Sequence, residues 1–199
     1  MNKSIAIIGA GGQGKVVGEI AYLNKYKKIH FFDDNHLNIK NYPFDILGDI
    51  DFFEKKINNY EHWFVALGNN AIRKKIIKRF IDYNEKLTNL IHPKCFVSQF
   101  STLNNGICVM ANATVNPGTK INQGSIINTS SSIDHDCDLG CFVHIAPNST
   151  LSGNVKIGEL TLVGSGSSIH QGIKLGNNVK TGVGSKIYKD ISDNIVFKN

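Results

Sequence analysis

The chain has 199 residues, 41% hydrophobic and 19% charged, the proportions of an ordinary soluble globular protein with room for one large or two small domains. Its formal charge of +6 gathers in residues 1–94, with 15 Lys+Arg against 10 Asp+Glu, while residues 95–199 carry 7 against 6. No basic run interleaved with aromatics accompanies that excess, which argues against nucleic acid and suits phosphorylated small molecules.

Ser4 to Ile8 is a short apolar run, too short for the core of a signal peptide, and leads directly into Gly9-Ala-Gly-Gly-Gln-Gly14. Lys15 to Asn24 then has helical spacing through Val16, Val17, Ile20, Ala21 and Leu23. Strand, glycine turn and helix are expected in that order. Ile29 to Phe32 is a second strand, with Asp33-Asp34 at its carboxyl end, about 20 residues after the loop, the spacing of the Rossmann-type fingerprint. A third strand is expected at Trp63 to Leu67, followed by Gly68-Asn69-Asn70 and a helix from Ala71 to Asp82, and an extended segment at Leu87 to Pro93.

Three readings of the glycine loop compete. A Walker A loop fits Gly9, Gly14 and Lys15, but Val16 stands where a hydroxyl should hold Mg²⁺. A complete NAD site needs more chain than the roughly 90 residues before the next region, which suffice for one mononucleotide-binding half. A glycine turn with no ligand is the third. Gly68 follows the third strand and so shares a crevice with Gly11 and Asp33, which favours a ligand there.

From Cys95 an aliphatic residue returns every sixth position: Val97, Leu103, Val109, Val115, Ile121, Ile127 and onward to Leu175, fourteen in phase. Ile, Leu and Val are 50 of the 199 residues, so the run is no accident of composition. A small or β-branched residue sits two places before each, as at Thr119, Ser125, Ser131 and Cys137. Period six is neither helical nor a plain alternation, so each unit is a short strand plus a corner. The stretch from Cys95 to Thr119 is uncharged, yet its Asn, Ser, Gln and Thr content would be costly in hydrocarbon, and no membrane span is expected. Four cysteines are too few to staple the chain, and Cys95 and Cys137 fall in the small-residue register, so reduced packing residues in a cytoplasmic protein are expected.

The hexads resemble those of the left-handed β-helix acyltransferases. Together with Gly9 to Gly14, Phe32-Asp33-Asp34, Ala66 to Asn70 and Asn128 to His135, nearly the whole chain is similar to the bacterial nucleotide-aminosugar acetyltransferases, relatives of the sialic acid O-acetyltransferases. The resemblance implies a Rossmann-like α/β half-domain over residues 1–94 and a left-handed parallel β-helix of about five coils over 95–199. It further implies a homotrimer, with acetyl-CoA between neighbouring β-helices, no metal, and a nucleotide-sugar on the first domain. It places a catalytic histidine at His135, an acid at Asp136, and an oxyanion-stabilising backbone N–H at Gly153. His144, Gly153, Ser165 and Val183 fall on positions facing acetyl-CoA; Gly11, Gly12, Gln13, Asp33, Asp34 and Gly68 fall on those contacting the nucleotide-sugar. Asp136 is shorter than the Glu common among relatives, and the chain stops at Asn199 without their Gly-x-Pro-Ala ending.

The residues themselves agree with that chemistry. His135 lies off both inward registers, which puts it at an outward corner, and Asp134, Asp136 and Asp138 surround it. A carboxylate beside an imidazole fixes its tautomer and raises its basicity. His144 is half a coil further on, so the two histidines need not meet within one subunit. A zinc set of His135, Cys137, Cys141 and His144 conflicts with the inward register of Cys137. The expected reaction is N-acetyl transfer from acetyl-CoA to a nucleotide-linked amino-deoxysugar, with sugar O-acetylation or a non-catalytic β-helix scaffold as alternatives; neither the base nor the sugar is legible.

Overall fold

The computed structural model describes Lys3 to Lys198 and divides into two compact units between Pro93 and Lys94. In the first, β1 (Ser4–Ile8), α1 (Gly12–Leu23), β2 (Lys28–Phe32), β3 (Asp45–Gly48), α2 (Ile50–Lys56), β4 (His62–Val65) and α3 (Asn70–Arg79) follow in order. All strands are parallel, in the order β3-β2-β1-β4. Being covered on both faces, β1 is apolar from Ile5 to Ile8, and all five of its residues are buried. Aromatic rings fill the space around it: Phe32, Phe53, Trp63 and Phe80 stack edge and face at centroid distances of 5.0–6.2 Å. The order reverses between β1 and β4, which opens a crevice at the carboxyl ends of these strands.

Three differences from expectation appear here. Strand β3 and helix α2 were not anticipated; Asp45–Gly48 is four residues of mixed burial, and α2 has only seven residues, started by Asp49 accepting from the Phe52 N–H at 2.7 Å. Helix α3 stops at Arg79, and a 3-10 segment, Ile81–Lys86, takes up the remainder. The extended segment narrows to Leu90–Ile91, tied to the end of α1 by Asn24 Nδ2 donating to Ile91 O at 2.9 Å.

The second unit is a stack of coils. Sixteen two-residue strands run from Phe96–Val97 to Lys186–Ile187, each pairing in parallel with the strand eighteen residues away. At three strands per coil this makes just over five coils with three flat faces. Face 1 starts at Phe96–Val97, face 2 at Thr102–Leu103 and face 3 at Cys108–Val109. The second residue of each strand points inward, and from Val109 to Leu175 every one is at most 3% exposed. Burying each such aliphatic side chain contributes about 1.5–3 kcal/mol.

The small register lines the corners from within. Ser125, Ser149 and Thr161 are fully buried, and their hydroxyls donate to the carbonyls of Gly140, Gly164 and Gly176 on the next coil at 2.7–3.1 Å. A hydroxyl that small and that well satisfied is the reason Ser and Thr occupy an interior. The residue just before each turns the chain through left-handed backbone, as at Asn112, Ser130, Asp136 and Asn154 (φ 57–59°). That conformation favours Gly, Asn and Asp, which explains the composition of the hexads.

Candidate active site

His135 stands at the corner between faces 1 and 2, more than half exposed. The loop beneath it is fixed by its neighbours. Asp134 Oδ1 accepts from the His135 N–H at 2.8 Å and from Asn116 Nδ2 at 2.9 Å, while Thr119 Oγ1 donates to Asp134 O at 2.7 Å and accepts the Cys137 N–H at 3.2 Å. The hydrogen bond from Asn116, then that from the His135 backbone, hold the Asp134 carboxyl below its usual range.

Asp136 has left-handed backbone (φ 59°), which swings its carboxylate back onto the preceding ring, and Oδ2 lies 2.8 Å from His135 Nδ1. A short side chain therefore does reach the imidazole. An ionised carboxylate only accepts, so Nδ1 carries the hydrogen and Nε2 carries the lone pair. The Asp136 hydrogen bond, with the charges of Asp134 and Asp136 behind it, raises the His135 pKa above its ordinary value. The other oxygen of Asp136 overhangs Gly118, one coil earlier, where no β-carbon would fit.

One coil later, Gly153 lies against the ring. A β-carbon there would come within 2.6 Å of His135 Cε1 and Nε2, so glycine is required by the imidazole and not by its own backbone angles. Among the described residues no acceptor takes the Gly153 N–H. The proton acceptor Nε2 and the backbone of Gly153 thus meet at one exposed corner.

His144 is elsewhere. It opens the strand His144–Ile145 on face 3, between Ile126 and Leu162, and Asn128 Nδ2 lies 3.0 Å from its Nε2. Face 3 is opposite the corner that holds His135, with the aliphatic interior between them. Ser165 and Val183 stack one above the other at the corner from face 3 to face 1, joined by Gly184 N–H donating to Ser165 O at 2.8 Å. The sequence-predicted residues therefore form two groups on one chain, His135, Asp136 and Gly153 in one, His144, Ser165 and Val183 in the other.

In the first unit, α1 begins at Gly12 with Gly11 as N-cap and no side chain capping its first N–H groups. Asp33 spans the loops: Oδ2 accepts the Ala10 N–H at 2.8 Å and Oδ1 the Asn35 N–H at 2.9 Å. Asp34 Oδ1 accepts the Ile50 N–H at 3.1 Å. Both carboxylates hold the crevice in shape, and Asp33, Asp34, Gly9, Leu67 and Lys75 line a cleft of about 350 Å³. The glycines differ in purpose. At Gly9 and Gly14 a β-carbon would strike the backbone, whereas at Gly11, Gly12 and Gly68 it would meet nothing within 4 Å. Packing does not require glycine at those three, and they leave bare backbone at the crevice. Elsewhere in this unit Gln13 Nε2 and Tyr42 Oη are buried without hydrogen-bond partners among the described residues, and burial with the nearby Asp33 charge pushes the Tyr42 phenol well above its usual pKa.

Asn69 and Asn70 are explained by local structure. Asn69 Oδ1 caps α3 through the Ile72 N–H at 3.0 Å, and Asn70 Oδ1 accepts from the buried Arg73 guanidinium at 2.7 Å, which also donates to Leu67 O at 2.8 Å. Among the described residues no three His, Cys, Asp or Glu side chains are grouped to hold a metal ion. A cleft of about 500 Å³ near Tyr188 and Phe197 contains none of the predicted site residues.

Residues 4–80 match the family model described as the PglD N-terminal domain. Over its full length the chain superposes on the acetyltransferase domain of PglB from Neisseria gonorrhoeae FA1090, solved in complex with acetyl coenzyme A, with a TM-score of 0.94, 38% identity and 97% of that chain covered. The chain belongs to the nucleotide-aminosugar N-acetyltransferase family. PerB from Caulobacter crescentus, solved in complex with CoA and GDP-perosamine, gives a TM-score of 0.93 at 30% identity, covering all of this acetyltransferase and 95% of that chain. The GDP-perosamine N-acetyltransferase of Escherichia coli O157:H7 is 26% identical over 161 residues, 77% of this acetyltransferase and 72% of the relative. The coil stack is accordingly the left-handed β-helix of these enzymes.

Residues that the sequence did not single out as site residues hold these loops in place. Asn116 and Thr119 support the His135 loop from the previous coil, and Arg73 ties down the Leu67–Gly68 backbone. Asn116 could have been found by stepping back eighteen residues from Asp134, since the repeat makes such residues neighbours. Nothing in the local sequence marks Arg73, which lies in a helix with four other basic residues, Lys74, Lys75, Lys78 and Arg79.

Proposed function

We infer that this acetyltransferase moves the acetyl group of acetyl-CoA onto the amine of a nucleotide-linked amino-deoxysugar. The carrying observation is the corner where His135 Nε2, freed to accept by Asp136 on Nδ1, lies against Gly153, whose N–H has no acceptor among the described residues. The amine lone pair attacks the thioester carbonyl, and the oxygen that becomes negative is stabilised by the Gly153 N–H. His135 Nε2 takes the proton released from nitrogen; as the C–S bond breaks, that proton goes to the departing sulfur, and amide and free thiol leave. No covalent enzyme intermediate is needed.

The nucleotide-sugar belongs on the first unit, within residues 1–94. Its phosphates suit the uncapped start of α1 at Gly11 and Gly12, and its polar groups suit Gln13, Asp33, Asp34 and the backbone at Gly68. His144, Ser165 and Val183 face the acyl donor along with Gly153. Because the interior of the β-helix stands between His135 and His144, a site using both draws them from different copies, and a trimer closes such a heterologous contact. Among the described residues no helix is long and apolar enough to cross a membrane. The reading places the enzyme in the cytoplasm, in keeping with its cysteines, among which no disulfide forms.

The test is thiol release from acetyl-CoA with UDP-, dTDP- and GDP-linked amino sugars, beside the same sugars bearing hydroxyl in place of the amine. Turnover confined to the amines supports the reading. Turnover of the hydroxyl sugars alone makes the enzyme an O-acetyltransferase, and binding of neither substrate class makes it a scaffold.

A further inference from the structure

The second histidine carries a restraint of its own. Asn128 Oδ1 accepts the Thr129 N–H at 2.8 Å, and a backbone N–H can only donate, so the orientation of the Asn128 amide is settled. Its NH₂ end is then the group 3.0 Å from His144 Nε2. An amide NH₂ also only donates, so Nε2 must hold a lone pair, and the ring hydrogen must be on Nδ1. A cationic His144 would set two donors against each other. The residues paired with it on face 3, Ile126 and Leu162, are apolar. This is the reverse of a carboxylate pairing: His135 is tuned upward by Asp136, whereas His144 is held neutral by an amide.

We propose that Asn128 is a positioning residue for the acyl donor: by fixing His144 as the neutral Nδ1–H tautomer it presents acetyl-CoA with an imidazole donor of one defined geometry and no charge. The proposal rests on the reading that His144 meets acetyl-CoA. A neutral N–H donor matches the carbonyl and amide oxygens of a pantetheine arm, and its orientation is set before the donor arrives.

The test uses the full-length protein with ¹⁵N-histidine, above the pH range where imidazoles titrate. Long-range ¹H–¹⁵N correlation assigns the ring hydrogen, and His144→Gln identifies the signal. The wild type is expected to show Nδ1 protonated and Nε2 bare. Asn128→Asp keeps an acceptor for the Thr129 N–H but offers Nε2 a second one, so the hydrogen should move to Nε2. Acetyl-CoA affinity by calorimetry should then fall about 3- to 10-fold, the value of one hydrogen bond, with nucleotide-sugar affinity unchanged. Asn128→Ala should give a tautomer mixture and an intermediate loss. A wild-type hydrogen on Nε2, an Asn128→Asp ring unchanged from wild type, or a reversal with no change in acetyl-CoA affinity overturns the proposal. If His144→Gln also binds acetyl-CoA normally, the assignment of His144 to the donor has failed as well, and the tautomer result stands apart from it.

Discussion

The imidazole of His135 rests on the α-carbon of Gly153, one coil above it, with room for a hydrogen and for nothing larger. Gly153→Ala is compatible with the backbone angles at that position, so the fold should persist while the ring is pushed outward. A displacement of about 1 Å at a catalytic group costs on the order of 10²-fold in rate. Steady-state kinetics should therefore show kcat down by about that factor with the thermal midpoint nearly unchanged; full activity would remove Gly153 from the site.

His135→Ala should lower kcat by roughly 10²- to 10⁴-fold, the range for losing a general base. The side chain is more than half exposed and fills no core space, so neither acetyl-CoA affinity nor thermal stability should change. Near-full turnover at neutral pH would transfer the role of base to another group or to water.

Asp136→Asn isolates the electrostatic part. The Asp136 carboxylate raises the His135 pKa, and a ring proposed as general base must be deprotonated, so wild-type activity should rise with pH through that raised value. Replacing the carboxylate with an amide removes the first cause of the shift. The acid limb of the kcat/KM profile should move to lower pH while the plateau rate falls, because a poorer base accepts the proton less readily. Asn tolerates the left-handed backbone found here, so the turn should survive. A limb that moves to higher pH, or not at all, breaks the link between Asp136 and His135.

The first unit allows a separation of binding from stability. Gly11 has ordinary extended backbone, with open space where a β-carbon would go, so Gly11→Val should fold normally. Its branched side chain should nevertheless block close approach to the start of α1 and raise the nucleotide-sugar KM by roughly 10- to 100-fold, with the acetyl-CoA KM unchanged. Asp33→Ala should instead lower stability by about 1–3 kcal/mol, since the Ala10 and Asn35 N–H groups lose their acceptor. Denaturant melts beside kinetics distinguish the two; equal loss for both substrates in Gly11→Val would leave the crevice a purely structural role.

Sedimentation at micromolar concentration should give a trimer. A monomer retaining full activity would show that His135 and His144 do not serve one shared site.

How much of this could be read in advance follows from geometry. The repeat was legible because each inward residue, from Val109 to Leu175, obeys one spacing and one packing requirement. The exposure of His135 followed from its being out of that phase. The reach of Asp136 did not, because it depends on the sign of φ at a corner, which the residue type permits without dictating. Asn116 and Thr119 became partners only once eighteen residues closed a turn. In the first unit β1 was plain from its unbroken apolar run, whereas α2, seven residues started by the side chain of Asp49, offers too little periodicity to separate it from a loop.

The eighteen residues from His135 to Gly153 also act as a ruler. Removing six of them would leave every later strand properly paired, since one face is as good a partner as the next for the backbone. Everything beyond the cut would nonetheless be rotated by a third of a turn about the stack, and Gly153 would be carried away from the imidazole onto another edge. Core packing would tolerate that deletion and chemistry would not. An insertion here would keep His135 against Gly153 only if it bulged out from a corner and returned to the same hexad, so the spacing of the two residues is as much a part of the proposed site as their side chains.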